Sequence, residues 1–95
     1  IRLWDAKTHK LHKTLGVLDG HKKSIRSIAF LTGNKRIISG SDDNSILIWD
    51  VESENIVKSL TGHRRRISAV AAVLKGNLIV SGAGDKFVKV WKFVE

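Results

Sequence analysis

Short apolar runs, separated by turns rich in Gly, Asn, Asp and Ser, recur along the whole chain. Runs of this length that are enriched in β-branched and aromatic residues predict strands. No segment sustains the 3.6-residue apolar period of a helix, so we expect an all-β fold. The predicted strands cover residues 1–5, 11–15, 24–31, 36–39, 45–49, 55–60, 66–73, 78–81 and 87–93.

Two of these strands are apolar at successive positions instead of at alternate ones. They contain residues 46–49 (Ile-Leu-Ile-Trp) and residues 78–80 (Leu-Ile-Val). A strand with one face in water alternates apolar and polar residues, whereas a strand that is buried on both faces does not. We therefore expect other sheets to cover both faces of these strands.

Two stretches of the chain repeat each other at a constant offset of 42 residues, and no gap is needed to align them. The offset relates Gly20-His21 to Gly62-His63, Ser39-Gly40 to Ser81-Gly82, Asp43 to Asp85, and Trp49 to Trp91. A repeat of roughly 40–45 residues, with Gly-His early and Trp-Asp late, is typical of one blade of a β-propeller. One blade cannot bury its own apolar faces, so we expect blades to stack against one another.

These motifs resemble those of the WD40-repeat family, and the resemblance covers essentially the whole chain. It implies blades that are four-stranded antiparallel sheets, with about two and a quarter blades present. On this interpretation, residues 1–19 hold the third and outer strands of one blade, and residues 20–61 form a complete repeat. Residues 62–95 then form a second repeat that lacks its outer strand.

The resemblance also implies a hydrogen-bonded chain of His, Ser, Asp and Trp side chains inside each blade. The first set is His21, Ser39, Asp43 and Trp49, and the second is His63, Ser81, Asp85 and Trp91. A buried imidazole and a buried indole N–H must find partners, which such a chain supplies. Because both His residues recur in phase with the fold, we interpret them as structural, with no catalytic residue and no metal ligand among them.

Basic residues dominate the charge of the chain, whose 17 Lys and Arg against 9 Asp and Glu give a formal net charge of +8. Such an excess favours acidic partners, although cations also keep sheet edges from pairing. Five of the cations directly follow the two Gly-His pairs, namely Lys22, Lys23, Arg64, Arg65 and Arg66. In the WD40-repeat family these positions lie near the central channel, where partners often dock. The alternatives are a binding face for an acidic peptide, phosphopeptide or nucleic-acid backbone, and a solvated loop.

The first functional hypothesis is a non-catalytic scaffold for protein–protein interaction within a larger assembly. The alternative is a basic propeller that binds RNA or phosphorylated and acidic partners in a ribonucleoprotein complex. Sequence-tolerant binding of nucleic acid uses exposed aromatic rings beside cations. We expect the three Trp residues and the Phe residues to be buried in the core, so the protein scaffold is preferred.

Several classes of function are not expected for this chain. Cysteine is absent, which excludes disulfides and cysteine-based zinc sites, and no motif indicates an enzyme or a cofactor. No apolar run approaches the ~18 residues that span a bilayer, so we expect no membrane partner. The absence of cysteine favours an intracellular location, cytoplasmic or nuclear. Because the chain begins with Ile1 and lacks Met, we expect the remaining blades to come from the same longer chain or from identical copies.

Overall fold

The computed structural model describes residues 1–15, 20–31, 35–73 and 78–92. In order, the strands are β1 (Arg2–Trp4), β2 (Leu11–Thr14), β3 (Ile25–Phe30), β4 (Arg36–Ser41), β5 (Ile46–Asp50), β6 (Ile56–Leu60), β7 (Ile67–Val73), β8 (Leu78–Ala83) and β9 (Val88–Lys92). They form three antiparallel sheets, β1-β2, β3-β4-β5-β6 and β7-β8-β9, each in sequence order. The predicted all-β fold of antiparallel sheets is confirmed. None of the described residues belongs to a helix that could cross a membrane.

Strands β4 and β8 each extend two residues beyond their predicted ends. Gly40 lies inside the ladder, opposite Ser27 on β3 and Ile46 on β5. The run of Gly and polar residues over 40–44 predicts a turn, but Gly40 is a strand residue at a close contact between sheets. A Cβ atom at Gly40 would lie 2.9 Å from the Cβ of Ile67 and 3.1 Å from the Cγ1 of Val70.

The middle sheet is covered on both of its faces, as its continuous apolar run predicts. Ile38, Ile46 and Ile48 point to one face and pack with Ile67 and Ile79 of the third sheet. Successive side chains of a strand point to opposite faces, so the intervening residues face the first sheet. There Ile37, Leu47 and Trp49 are buried together with Leu15, and Ile1 and Leu3 pack against them.

In the described part of the chain, only one face of the third sheet is covered by another sheet. Ile79 is fully buried against the middle sheet, whereas Leu78 and Val80 are partly exposed. Val88 and Val90 on the neighbouring strand are exposed. The expectation that both faces of residues 78–80 are covered is therefore wrong for the described chain, because no described sheet packs on that side.

Candidate functional site

A tight turn between β4 and β5 fixes the position of the first candidate carboxylate. Asn44 has a φ of 70°, a left-handed conformation that Asn tolerates better than most residues, and its amide donates to the carbonyl of Ser41 at 3.2 Å. One oxygen of Asp43 accepts from the amide of Ser45 at 2.9 Å. This side-chain turn holds the Asp43 carboxylate beside the Gly-His loop.

The first His-Ser-Asp-Trp set forms one continuous chain of hydrogen bonds. The indole Nε1 of Trp49 donates to Ser39 Oγ at 2.8 Å, and Ser39 Oγ lies 2.6 Å from His21 Nε2. The other ring nitrogen, His21 Nδ1, lies 3.0 Å from Asp43 Oδ2. Ser39 is fully buried and Trp49 is 1% exposed, so these polar groups depend on one another for partners.

The second set repeats this geometry 42 residues later. Trp91 Nε1 donates to Ser81 Oγ at 2.8 Å, and Ser81 Oγ lies 2.7 Å from His63 Nε2. His63 Nδ1 lies 2.8 Å from Asp85 Oδ2. The structure thus brings together the members of each of the two sets proposed from sequence.

The hydrogen bonds favour one tautomer for both imidazoles. Ser39 Oγ accepts the indole proton, so its own proton is free to be donated to His21 Nε2. His21 then carries its proton on Nδ1 and donates it to the Asp43 carboxylate. The same assignment satisfies the His63 ring.

Both carboxylates are held in their charged form. Burial alone would raise the pKa of Asp85, but the amide of Phe87, the His63 ring and the amide of Arg64 outweigh it and lower that pKa to about 2. Burial likewise acts to raise the pKa of Asp43, and donors from Ser45, Lys22 and His21 lower it well below its usual range. Charged acceptors make the stronger hydrogen bonds, so each turn is tied to its Gly-His loop.

Three arginines and one lysine line an open groove on the second repeat. We define the arginine groove by its lining residues, which are Asn44, Arg64, Arg65, Arg66, Gly84 and Lys86, and its volume is about 560 Å³. The four cations are exposed and have no ion pair with another described residue. This composition suits an anionic ligand, since guanidinium groups bind carboxylate and phosphate oxygens in pairs.

The groove includes three of the five cations proposed from sequence. Lys22 and Lys23 are exposed but lie outside its lining. The equivalent region of the first repeat also contains an acid, because Asp42 forms a two-pronged ion pair with Arg26 at 2.7 and 2.8 Å. That pair lowers the pKa of Asp42, as do the charges of Arg66 and Lys23 to a smaller degree.

Several aromatic residues are exposed, so the expectation of burial is wrong for them. Trp4 is 60% exposed, Phe30 48% and Phe87 64%, while Trp49 alone among the aromatic side chains is almost fully buried in the described chain. Phe87 lines a second hollow of about 440 Å³ with Gly62, Arg64, Asp85 and Lys89, which we call the Phe87 pocket. It shares Arg64 with the arginine groove.

Sequence reasoning missed the contributions of Asn44, Gly84, Lys86 and Phe87. A signal for three of them was available in the repeat itself, because the offset of 42 relates Asp42 to Gly84, Asn44 to Lys86 and Ser45 to Phe87. The described residues contain no group of three or more His, Cys, Asp or Glu side chains that could hold a metal ion. The arrangement is suited to binding an anion.

Comparison with known proteins identifies two repeats in the chain. Residues 12–50 and 54–92 match the family model described as WD domain, G-beta repeat. WD repeat-containing protein 37 of Homo sapiens is 35% identical over 52 residues, which are 55% of this chain and 10% of that protein. Nuclear distribution protein PAC1-2 of Uncinocarpus reesii is 39% identical over 61 residues, 63% of this chain and 12% of that protein. Protein HIR1 of Eremothecium gossypii is 39% identical over 49 residues, 52% of this chain and 6% of that protein. The matched segments thus span between 6% and 12% of the length of these relatives.

Proposed function

The chain belongs to the WD40-repeat family, and we propose that it is a non-catalytic scaffold segment that holds an acidic or phosphorylated stretch of a partner protein in the arginine groove. Proteins with WD repeats are in general protein-interaction scaffolds. The finer assignment depends on one observation, which is the convergence of Arg64, Arg65, Arg66 and Lys86 on a single groove.

The contrast between the two repeats supports this choice of groove. Five positions of the first repeat have equivalents in the groove, and they are Lys22, Lys23, Ser24, Asp42 and Asn44. Two of these residues are cations and one is an acid. The second repeat has four cations and no acid at Arg64, Arg65, Arg66, Gly84 and Lys86. A cluster of unneutralised cations raises the energy of the free protein, and an anionic ligand relieves that repulsion.

The backbone of the groove is held by hydrogen bonds that do not involve the ligand. The amide of Arg64 donates to Asp85 Oδ2 at 3.0 Å, and the amide of Gly84 donates to the carbonyl of Arg66 at 3.0 Å. Asn44 Nδ2 donates to the carbonyl of Arg64 at 3.3 Å. A loop that is ordered before binding loses less conformational entropy when the ligand arrives.

The test compares charge reversal at two equivalent positions, Arg65→Glu and Lys23→Glu, in the full-length chain. The probe is a fluorescein-labelled peptide, Gly-Ser-Gly-phosphoserine-Gly-Ser-Gly, and the dissociation constant is measured by fluorescence anisotropy. Charge-assisted hydrogen bonds contribute about 1.5–3 kcal/mol each, so Arg65→Glu should weaken binding about tenfold or more. Lys23→Glu should weaken it about threefold at most, a size typical of exposed charges. Unchanged binding in Arg65→Glu contradicts the proposal.

A second candidate function is the binding of RNA within a ribonucleoprotein assembly. The exposed ring of Phe87 beside Arg64 favours it, because bases stack on aromatic rings next to cationic grooves. A uridine oligonucleotide is the probe, and its affinity should fall steeply with salt, with a slope that grows with the number of phosphates contacted. If the oligonucleotide binds more tightly than the phosphopeptide at the same salt concentration, RNA replaces the acidic peptide as the assigned ligand.

We also propose that a further blade covers the outer face of the third sheet, where Val88 and Val90 are exposed. It would come from the same longer chain or from an identical copy. Exposed apolar sheet faces of this kind favour association. Light scattering on the 95-residue chain tests the source, since a discrete oligomer indicates identical copies and a monomer or polydisperse aggregate indicates more of the same chain.

A further inference from the structure

Phe87 occupies a position at which the first repeat uses a side chain of a different chemical type. The equivalent residue, Ser45, donates its hydroxyl to Asp43 Oδ1 at 2.6 Å and lies 3.1 Å from His21 Nδ1. Phe87 contributes only its backbone amide, which donates to Asp85 Oδ1 at 3.0 Å. The second repeat therefore lacks a stabilising hydroxyl and has an exposed aromatic ring in its place. Residues that break a local rule of the fold are expected at functional sites.

Two further hollows share lining residues with the Phe87 pocket. On one side, Arg64 is shared with the arginine groove. Lys89 Nζ lies 6.0 Å from the centre of the Phe87 ring. Beyond Lys89, a third hollow of about 310 Å³ is lined by Thr61, Gly62, Lys89, Val90 and Trp91. The three hollows share lining residues and thus bring together a cluster of cations, an aromatic ring and the Trp91 indole.

The turn that carries Phe87 also leaves space for an incoming ligand. Gly84 stands where the first repeat has Asp42, and a Cβ atom at Gly84 would already lie 3.3 Å from the Cβ of Arg65. A larger side chain there would crowd the arginine groove. The three departures from the first repeat in this turn, at Gly84, Lys86 and Phe87, remove an acid, add a cation and add a ring.

We propose that the Phe87 pocket binds an aromatic or large apolar side chain that lies one or two residues from the anionic residue held in the arginine groove. The inference rests on the function proposed above and specifies its ligand as a two-part peptide motif. Arg64 lines both hollows, so neighbouring residues of one extended peptide, about 3.4 Å apart along the chain, can reach both. Aromatic pairs stack offset or edge to face with ring centres 4.5–7 Å apart, which an exposed ring permits.

The direction of the apolar residues favours a peptide over a polynucleotide. A nucleic acid carries a phosphate on each nucleotide and is bound best where cations continue along its path. Past Lys89 the lining includes Trp91, which offers apolar contact instead of charge. An acidic or phosphorylated residue followed by apolar ones matches this order.

The test uses three labelled peptides that differ in one feature each. The first is Gly-Ser-Gly-phosphoserine-Phe-Gly-Ser, the second replaces its Phe with Gly, and the third carries unmodified serine. An aromatic pair of this kind adds about three- to tenfold in affinity, so the first peptide should bind that much more tightly than the second. Phe87→Ser, which installs the residue of the first repeat, should abolish this preference and leave binding of the second peptide unchanged.

Two controls separate the possible outcomes. Phe30→Ser removes another exposed ring, on β3 and outside both hollows, and should retain the preference for the aromatic peptide. Phe87→Leu should retain part of this preference, which shows that its loss in Phe87→Ser is not a folding defect.

A preference that survives in Phe87→Ser, or that is absent in the unmodified protein, overturns this inference while the proposed function stands. Failure of both phosphorylated peptides to bind more tightly than the unmodified one overturns the proposed function itself. A uridine oligonucleotide that binds more tightly than the first peptide, and is weakened by Phe87→Ser, reassigns the pocket to a nucleobase.

Discussion

Replacing Ser39 with Ala should destabilise the fold far more than its small change in size indicates. The Ser39 hydroxyl is fully buried and is the shared partner of the Trp49 indole N–H at 2.8 Å and of His21 Nε2 at 2.6 Å. The substitution leaves both groups without that partner. Trp49 is 1% exposed, and so is the His21 side chain, so water has little access to compensate either group.

The expected size of the effect follows from these two unsatisfied groups. Leaving a buried donor or acceptor without a partner costs about 1–3 kcal/mol, and two such groups in one network give an expected loss of about 2–4 kcal/mol. Local rearrangement lowers the sum when one group finds a new partner. The loss of hydrophobic contact is negligible by comparison, since Ser and Ala have nearly the same size.

Urea unfolding followed by tryptophan fluorescence and circular dichroism measures the free energy of unfolding. The control is Ser53→Ala, whose hydroxyl donates to Asp50 Oδ2 at 2.9 Å in an exposed turn and should change stability by about 0.5 kcal/mol at most. Adding Trp49→Phe to Ser39→Ala removes the orphaned N–H, so the two changes should be strongly non-additive. A loss below about 1 kcal/mol in Ser39→Ala, or simple additivity with Trp49→Phe, would refute the view that this hydroxyl joins the network.

Three further predictions concern packing, acid stability and the groove. Gly40→Ala should destabilise the 95-residue chain by about 1–3 kcal/mol because its methyl group would collide with the third sheet. The equivalent change Gly82→Ala, with nothing within 4 Å of the added atom, should stabilise the chain by about 0.4–1 kcal/mol. Equal shifts of the urea midpoint in the two variants would contradict the packing described for Gly40. The folded state lowers the pKa of Asp85 from its usual 3.8 to about 2, so the charged carboxylate stabilises the fold above about pH 4 and this contribution is lost as the pH falls towards 2. Urea midpoints measured between pH 2 and 6 should show the loss. An Asp85→Asn variant with the same pH dependence would contradict the assignment to Asp85. Asp42→Ser should raise phosphopeptide affinity about two- to fivefold, since it removes the acid near Arg66, and anisotropy titration that shows weaker binding would contradict this.

The network residues could be predicted because the resemblance to the WD40-repeat family implies which residue types bond to one another, and a strict offset locates them twice in this chain. A repeat that places His, Ser, Asp and Trp at the same spacing twice specifies the same local geometry twice, and the bonds of Ser39 and Ser81 are nearly identical in length. These bonds depend on strand register and on one turn, both of which are local. The alternation of strands and turns was predictable for the same reason.

Burial was harder to predict, because it depends on how many sheets lie beside a strand. Trp4, Trp49 and Trp91 occupy equivalent positions in their sheets, but Trp49 is buried, Trp91 is partly buried and Trp4 is 60% exposed. No property of the residue itself separates the three cases. Only the middle sheet has a described neighbour on each face, and Trp49 belongs to it.

The candidate site was only partly predictable for a related reason. A run of three arginines is visible in sequence, and its exposure could be expected. The charge opposite each cation depends on the turn that folds against it, which comes from residues about 20 positions later. The first repeat has Asp42 in this turn and the second has Gly84. The electrostatic environments of the two repeats would therefore differ even if both had the same number of cations nearby.

The network and the groove are connected through a division of roles within one turn. Asp43 and Asp85 each tie the turn between two strands to the Gly-His loop, and their carboxylates satisfy backbone amides on both sides. With the backbone held in this way, the positions beside the shared Asp can differ in charge and size between the two repeats, as Ser45 and Phe87 do. Stability comes from the residue that the two repeats share, and on the proposed function selectivity for a ligand comes from its neighbours. The same logic predicts that giving the second turn the flanking residues of the first, with Gly84→Asp and Lys86→Asn, would weaken phosphopeptide binding in an anisotropy titration without loss of the fold.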